Sequence, residues 1–225
     1  FEGTALRGID YAAIGDSVII SAGNLTGTKT LTAIEDTLDE EDETIIVEIV
    51  LVSNATENGS QQVTLTLTDN DAPPTLSVDN PSVVEGNSGT ATLAYTVTLS
   101  AVSGKTVTVD YATSSGTTTA GADYTSTSGT LTFAPGETTK TVSISVIGET
   151  TYENDETILC TLSNATHATV SDAEGVGTIT NDDSLPSIVV NNVQQVEGNT
   201  GASQLSFQVT LDHDSAFTIT VEYTT

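Results

Sequence analysis

Apolar and polar residues alternate along this chain with a period of two. Thr90–Leu99 places Leu93, Tyr95, Val97 and Leu99 on one face and threonines and alanine on the other. Lys105–Tyr111, Thr130–Phe133, Thr141–Val146 and Gly177–Ile179 alternate in the same way. Such alternation predicts β-strands with one buried face. Turn-forming segments separate them: Asp79-Asn80-Pro81, Ser128-Gly129 and Ala134-Pro135-Gly136-Glu137. No segment carries a helical stripe. About seven strands per ~110 residues predicts an all-β fold of tandem immunoglobulin-like antiparallel β-sandwiches.

The pattern also repeats on a longer scale. Leu67–Thr113 matches Ile179–Thr225 without a gap, so that Val84-Glu85-Gly86-Asn87 meets Val196-Glu197-Gly198-Asn199. A second match joins Gly8-Ile9-Asp10-Tyr11 to Gly121-Ala122-Asp123-Tyr124, and Asp42-Glu43-Thr44-Ile45 to Asp155-Glu156-Thr157-Ile158. Between Thr44 and Leu67 the register slips, as small loop insertions or a bulge would cause. The chain is expected to hold the C-terminal part of one repeat (1–71), a complete repeat (72–184) and the N-terminal part of a third (185–225). Counted around the repeat, Phe1 corresponds to Ser114 and Thr225 to Thr113. The third part is therefore expected to be completed by residues 1–71 of an adjacent unit, head to tail, either covalently or by strand complementation between chains.

Charge narrows the function. Among 225 residues, 31 are Asp or Glu and four are Lys or Arg, a net charge of −27. Such a chain has no basic face for phosphates, which excludes nucleic acid as a main partner, and an anionic membrane surface fits it no better. No apolar run approaches the ~18 residues of a membrane-spanning helix. The single cysteine forms no internal disulfide, and Cys160 falls on the inward phase of its strand. His167 and His213 are unmatched between repeats, and no nucleophile–base–orienter set is evident, so no enzyme is expected. The acidic pI suggests an extracellular or cell-surface setting.

The acids recur at fixed loop positions: Asp123, the run Glu149–Glu156, the end segment Asn181-Asp182-Asp183, and Glu85 near the start. A sandwich gathers several loops at each end, so these clusters can converge. Carboxylates crowded together raise one another's pKa, and a hard cation with six to eight oxygen ligands resolves the conflict. Ca²⁺ fits this donor set. The absence of His and Cys from the clusters argues against zinc or copper. The alternative is a solvated acidic rim.

Val84-Glu85-Gly86, Gly121-Ala122-Asp123-Tyr124, Gly129-Thr130-Leu131-Thr132-Phe133, Pro135-Gly136-Glu137, Glu153-Asn154-Asp155-Glu156-Thr157, Leu162-Ser163-Asn164 and Asn181-Asp182-Asp183, in this order, resemble the Calx-beta domain. The resemblance implies a sandwich that binds several Ca²⁺ ions at one end. It implies ligands Glu85, Asp123, Glu149, Glu153, Glu156, Asp182 and Asp183 in the middle repeat. It implies Asp10, Asp36, Glu40, Glu43, Asp69 and Asp71 in the first part, and Glu197 in the third. The chain departs from the family pattern at Gly148-Glu149, where a pair of Asp is common, and at Asn181 in the end triplet. Leu38 and Thr151 are expected to offer backbone carbonyls, and Tyr11 and Tyr124 to pack beside the sites. Two roles follow from the resemblance. One is a calcium-stiffened module of a fibre, matrix or surface-adhesion protein with an unknown adhesion ligand. The other is a calcium-sensing regulatory domain.

Overall fold

A computed structural model describes residues 3–225. It is all-β, with no helix among the described residues. The first part contributes β1 (Tyr11–Ala13), β2 (Leu31–Ala33), β3 (Glu43–Glu48) and β4 (Gln62–Leu67), paired as two antiparallel hairpin ladders, β1 with β2 and β3 with β4. The middle repeat is a two-sheet sandwich. It is built from β5 (Thr75–Val78), β6 (Ser82–Val84), β7 (Thr90–Leu99), β8 (Val107–Ser115), β9 (Ser128–Phe133), β10 (Thr139–Ile147), β11 (Glu156–Thr166), β12 (Thr169–Val170) and β13 (Glu174–Thr180). One sheet runs β10-β7-β5-β12 and the other β6-β13-β11-β8-β9. The third part shows one short antiparallel pair, β14 (Ile188–Val190) with β15 (Val209–Leu211).

The alternating residues meet between the sheets. Leu93, Tyr95, Val97 and Leu99 of β7 are buried, as are Val107 and Val109, Phe133, Val142, Ile144 and Val146, Ile158 and Leu162. Cys160 is fully buried among them. The Tyr95 hydroxyl crosses the core, donating to the Ile158 carbonyl (2.6 Å) and accepting from the Gly177 amide (2.9 Å). It thereby ties β7 to two strands of the opposite sheet.

The sandwich is not wholly antiparallel. β5 and β6 derive from one run that changes sheets at Asp79-Asn80-Pro81, and β6 then pairs parallel with β13, as β12 does with β5. Proline at the switch supplies no amide to either ladder. The Asn80 side chain accepts from the Val176 amide (2.6 Å) and holds the corner. The β11–β8 ladder is broken by a bulge between Ser163 and Thr166, where Asn164 has φ 51°. Asn54, in the matching Ser-Asn-Ala-Thr of the first part, has φ 59°. Both asparagines therefore take the left-handed conformation at the same point of the repeat.

The outer parts hold less strand than the alternation predicts. Val189, Val196, Leu205 and Tyr223 of the third part, and Ile19, Leu25, Val50 and Leu51 of the first, are exposed. A half-sandwich has no facing sheet on which to bury them. No ladder joins the first part to the third among the described residues. The expected meeting of Thr225 with Phe1 concerns a residue outside those described.

Candidate functional site

The acidic residues of the middle repeat lie on the connections at one end of the sandwich. Glu85 follows β6, Asp123 sits between β8 and β9, Glu149 and Glu153 lie between β10 and β11, Glu156 opens β11, and Asp182 and Asp183 follow β13. Carboxylate oxygens of Glu85, Glu149 and Glu153 lie within 4.8 Å of one another, and so do those of Asp123, Glu153 and Glu156. Glu153 belongs to both groups. Asp182 and Asp183 flank them: Asp182 accepts from the Gly86 amide (3.0 Å) and Asp183 from the Asn87 side chain (2.7 Å).

Four side-chain oxygens here are buried without a hydrogen-bond partner: Glu85 Oε1, Glu149 Oε1, Glu156 Oε2 and Asp183 Oδ2. A buried carboxylate oxygen without a donor is costly. Burial, and then the charges of Glu153, Glu149, Asp183 and Asp182, push Glu85 up to about 7. Burial, and then Asp123, push Glu156 up to about 7 as well. Glu153 is raised by burial and by Glu149, Asp123 and Asp183. The only positive side chains nearby in sequence, Lys140 and Lys105, are paired elsewhere, with Glu137 and Asp39. An all-oxygen, multiply anionic donor set with unsatisfied buried oxygens fits a hard divalent cation.

The first part builds its cluster on the same framework. Asp10, Asp36, Glu40, Glu43, Asp69 and Asp71 line one cleft. The Leu38 amide donates to Asp36 (2.7 Å) as the Thr151 amide does to Glu149 (2.5 Å). The Asp69 amide donates to Asp42 (3.1 Å) as the Asn181 amide does to Asp155 (3.1 Å). The Leu6 amide donates to Asp10, and the Thr119 amide to Asp123 (2.5 Å). Glu40 and Glu43 are raised by burial and by acidic neighbours, with Asp36 prominent for Glu40 and Asp10 for Glu43. Asp71 is raised chiefly by burial and Asp69. Tyr11 and Tyr124 are buried beside the two clusters. Glu197 stands exposed in the third part.

Sequence reasoning missed Asp42 and Asp155. They hold the end segment against the acidic loop by accepting its amide. Their only signal was recurrence, which ligands share.

Fold and donor set together define a β-sandwich module with an acidic, cation-ready end. The Calx-beta domain model matches residues 1–71 and 69–184, most of the chain, and the protein belongs to the Calx-beta family. No individual curated protein sequence matches it. Among solved structures it is similar to CBD12 from CALX1.2, with 24% identity and a TM-score of 0.45 over 48% of this chain and 46% of that one. The chain thus spans about half the length of that structure. It is also similar to the apo-form Calx CBD1 domain, with 24% identity and a TM-score of 0.42 over 49% of this chain and 98% of that one. The Calx CBD2 domain matches at 16% identity and a TM-score of 0.43, over 48% of this chain and 86% of that one.

Proposed function

We propose that this chain is a calcium-binding structural module of a long extracellular fibre, matrix or surface-adhesion protein, in which Ca²⁺ stiffens the domain junctions. The observation that carries the calcium reading is the set of buried, partnerless carboxylate oxygens on Glu85, Glu149, Glu156 and Asp183. In this reading Glu85, Glu149 and Glu153 hold one ion, and Asp123, Glu153 and Glu156 a second, with Asp182 and Asp183 completing the ring. The cleft of Asp10, Asp36, Glu40, Glu43, Asp69 and Asp71 holds ions in the first part, and Glu197 serves a repeat that 185–225 begins. Calcium neutralises the loops and relieves their mutual repulsion. The parent protein is a non-catalytic tandem array, and the exposed apolar residues of the outer parts are covered by neighbouring repeats head to tail.

A second reading is a calcium-sensing regulatory domain that orders on binding. One structure to which the chain is similar is the calcium binding domain CBD12 of CALX1.1. The strands of the middle repeat already have a closed core without the acidic loops, which favours the structural role.

Calorimetric titration of the chain with Ca²⁺ tests the proposal. Glu153→Ala is expected to remove most binding in the middle repeat, since its carboxylate belongs to both groups. Glu137→Ala is expected to leave binding intact, because Glu137 pairs with Lys140 (2.7 Å) in a turn outside the cluster. Equal binding by the two variants would sink the site assignment. Chelation should also raise proteolysis between Glu149 and Glu156.

A further inference from the structure

The two junctions are made the same way. At the first, the Gly104 amide donates to the Asp39 carbonyl (2.9 Å), and Asp39 bridges Ser103 in parallel. At the second, the Ala216 amide donates to the Tyr152 carbonyl (3.1 Å), and Tyr152 bridges Ser215 in parallel. Asp39 and Tyr152 are equivalent positions, as are Ser103 and Ser215, and Gly104 and Ala216. Even the turn's internal bond recurs: the Lys105 amide donates to Ser103 Oγ (3.0 Å) and the Phe217 amide to Ser215 Oγ (3.1 Å). In each case the acidic loop of one repeat is clamped by one turn of the next. The turn reaches the acids themselves, because a Cβ on Gly104 would fall 2.8 Å from Glu40 Cγ.

The junctions differ in the side chain that follows the clamp. Lys105 reaches back to Asp39 at 2.9 Å, and the pair is largely buried, with side-chain exposures of 17% and 5%. Asp39, Glu41 and Asp69 are the charges that face its ammonium. At the second junction Phe217 packs on Tyr152, with ring centroids 5.7 Å apart. No cation takes the place of Lys105 there. His213, on the same turn, is bonded to the Ser184 carbonyl and Asp212, and these bonds together with the charge of Asp183 raise its pKa, so it is a titrating neighbour of the acids rather than a fixed cation.

We propose that the residue after the clamp sets the calcium affinity of the preceding repeat: Lys105 is a tethered counter-ion that weakens Ca²⁺ binding in the first part, and Phe217 leaves the middle repeat's acids without a permanent positive charge at that position. This rests on the calcium reading above. A unit charge close to a divalent ion, screened as at a protein surface, changes binding by about fivefold.

Calorimetric Ca²⁺ titration of the full chain tests it, with Glu153→Ala silencing the middle repeat for the first pair of variants and Asp36→Ala silencing the first part for the second. Lys105→Met should tighten binding in the first part by about fivefold, and Lys105→Arg should restore the original affinity. Phe217→Lys should weaken the middle repeat by a similar factor, and Phe217→Met should not. Lys105→Met matching Lys105→Arg, or Phe217→Lys matching Phe217→Met, overturns the inference and leaves calcium binding standing. No binding heat from the unaltered chain overturns both.

Discussion

Tyr95→Phe is expected to lower the stability of the middle repeat by about 1–3 kcal/mol, a large loss for the removal of one oxygen. The hydroxyl is fully buried and makes two bonds to backbone groups of the facing sheet, at Ile158 and Gly177. Without it, the Ile158 carbonyl and the Gly177 amide each lose a bond inside the core. Tyr95→Ala adds a cavity and should cost about 3–5 kcal/mol. Gly177→Ala attacks the same point from the other side, since its Cβ would fall 2.4 Å from the Tyr95 hydroxyl. Urea unfolding followed by circular dichroism reads all three. An unchanged midpoint for Tyr95→Phe would show that the hydroxyl bridge contributes nothing net.

In calcium-depleted buffer the protein is expected to be more stable near pH 5 than near pH 8. Glu85 and Glu156 have folded pKa values of about 7, against 4.5 for a free glutamate. Between those values the folded protein binds more protons than the unfolded chain, so stability falls as pH rises. The favourable contribution is complete below pH 4.5 and is lost as pH climbs through 7. Acidic groups with ordinary ion pairs behave in the opposite sense. Saturating Ca²⁺ should erase the decline, because the metal takes over the protons' role. Glu85→Gln should flatten the curve without calcium. Melting temperatures measured across pH 5–8, with and without Ca²⁺, check this. A metal-free stability that rises with pH would contradict the crowding described for these loops.

The strand core was legible because burial and polarity alternate together. Leu93, Tyr95, Val97 and Leu99 were placed on one face by sequence alone, and all four are buried. The crossing at Asn80-Pro81 was not legible, because a Pro-containing turn reads alike whether the chain stays in one sheet or moves to the other. The partners of the Tyr95 hydroxyl were equally hidden, being backbone groups 63 and 82 residues away. Recurrence made the acidic loops visible as groups. It did not separate Asp155, which accepts a backbone amide, from Glu153 and Glu156 beside it, whose oxygens face other carboxylates. The Asp39–Lys105 pair escaped notice for a related reason: the repeats agree in backbone at that place and differ in side chain.

Glu153 lies in both carboxylate groups, and one side chain cannot serve two ions as though each were alone. Whichever position fills first fixes the rotamer and neutralises part of the charge that the other must use. Occupancy of the middle repeat should therefore depart from the sum of two independent hyperbolas. A saturation curve fitted as two unlinked sites would return constants that describe neither, and changing the outer residues of one group should shift the apparent midpoint of both.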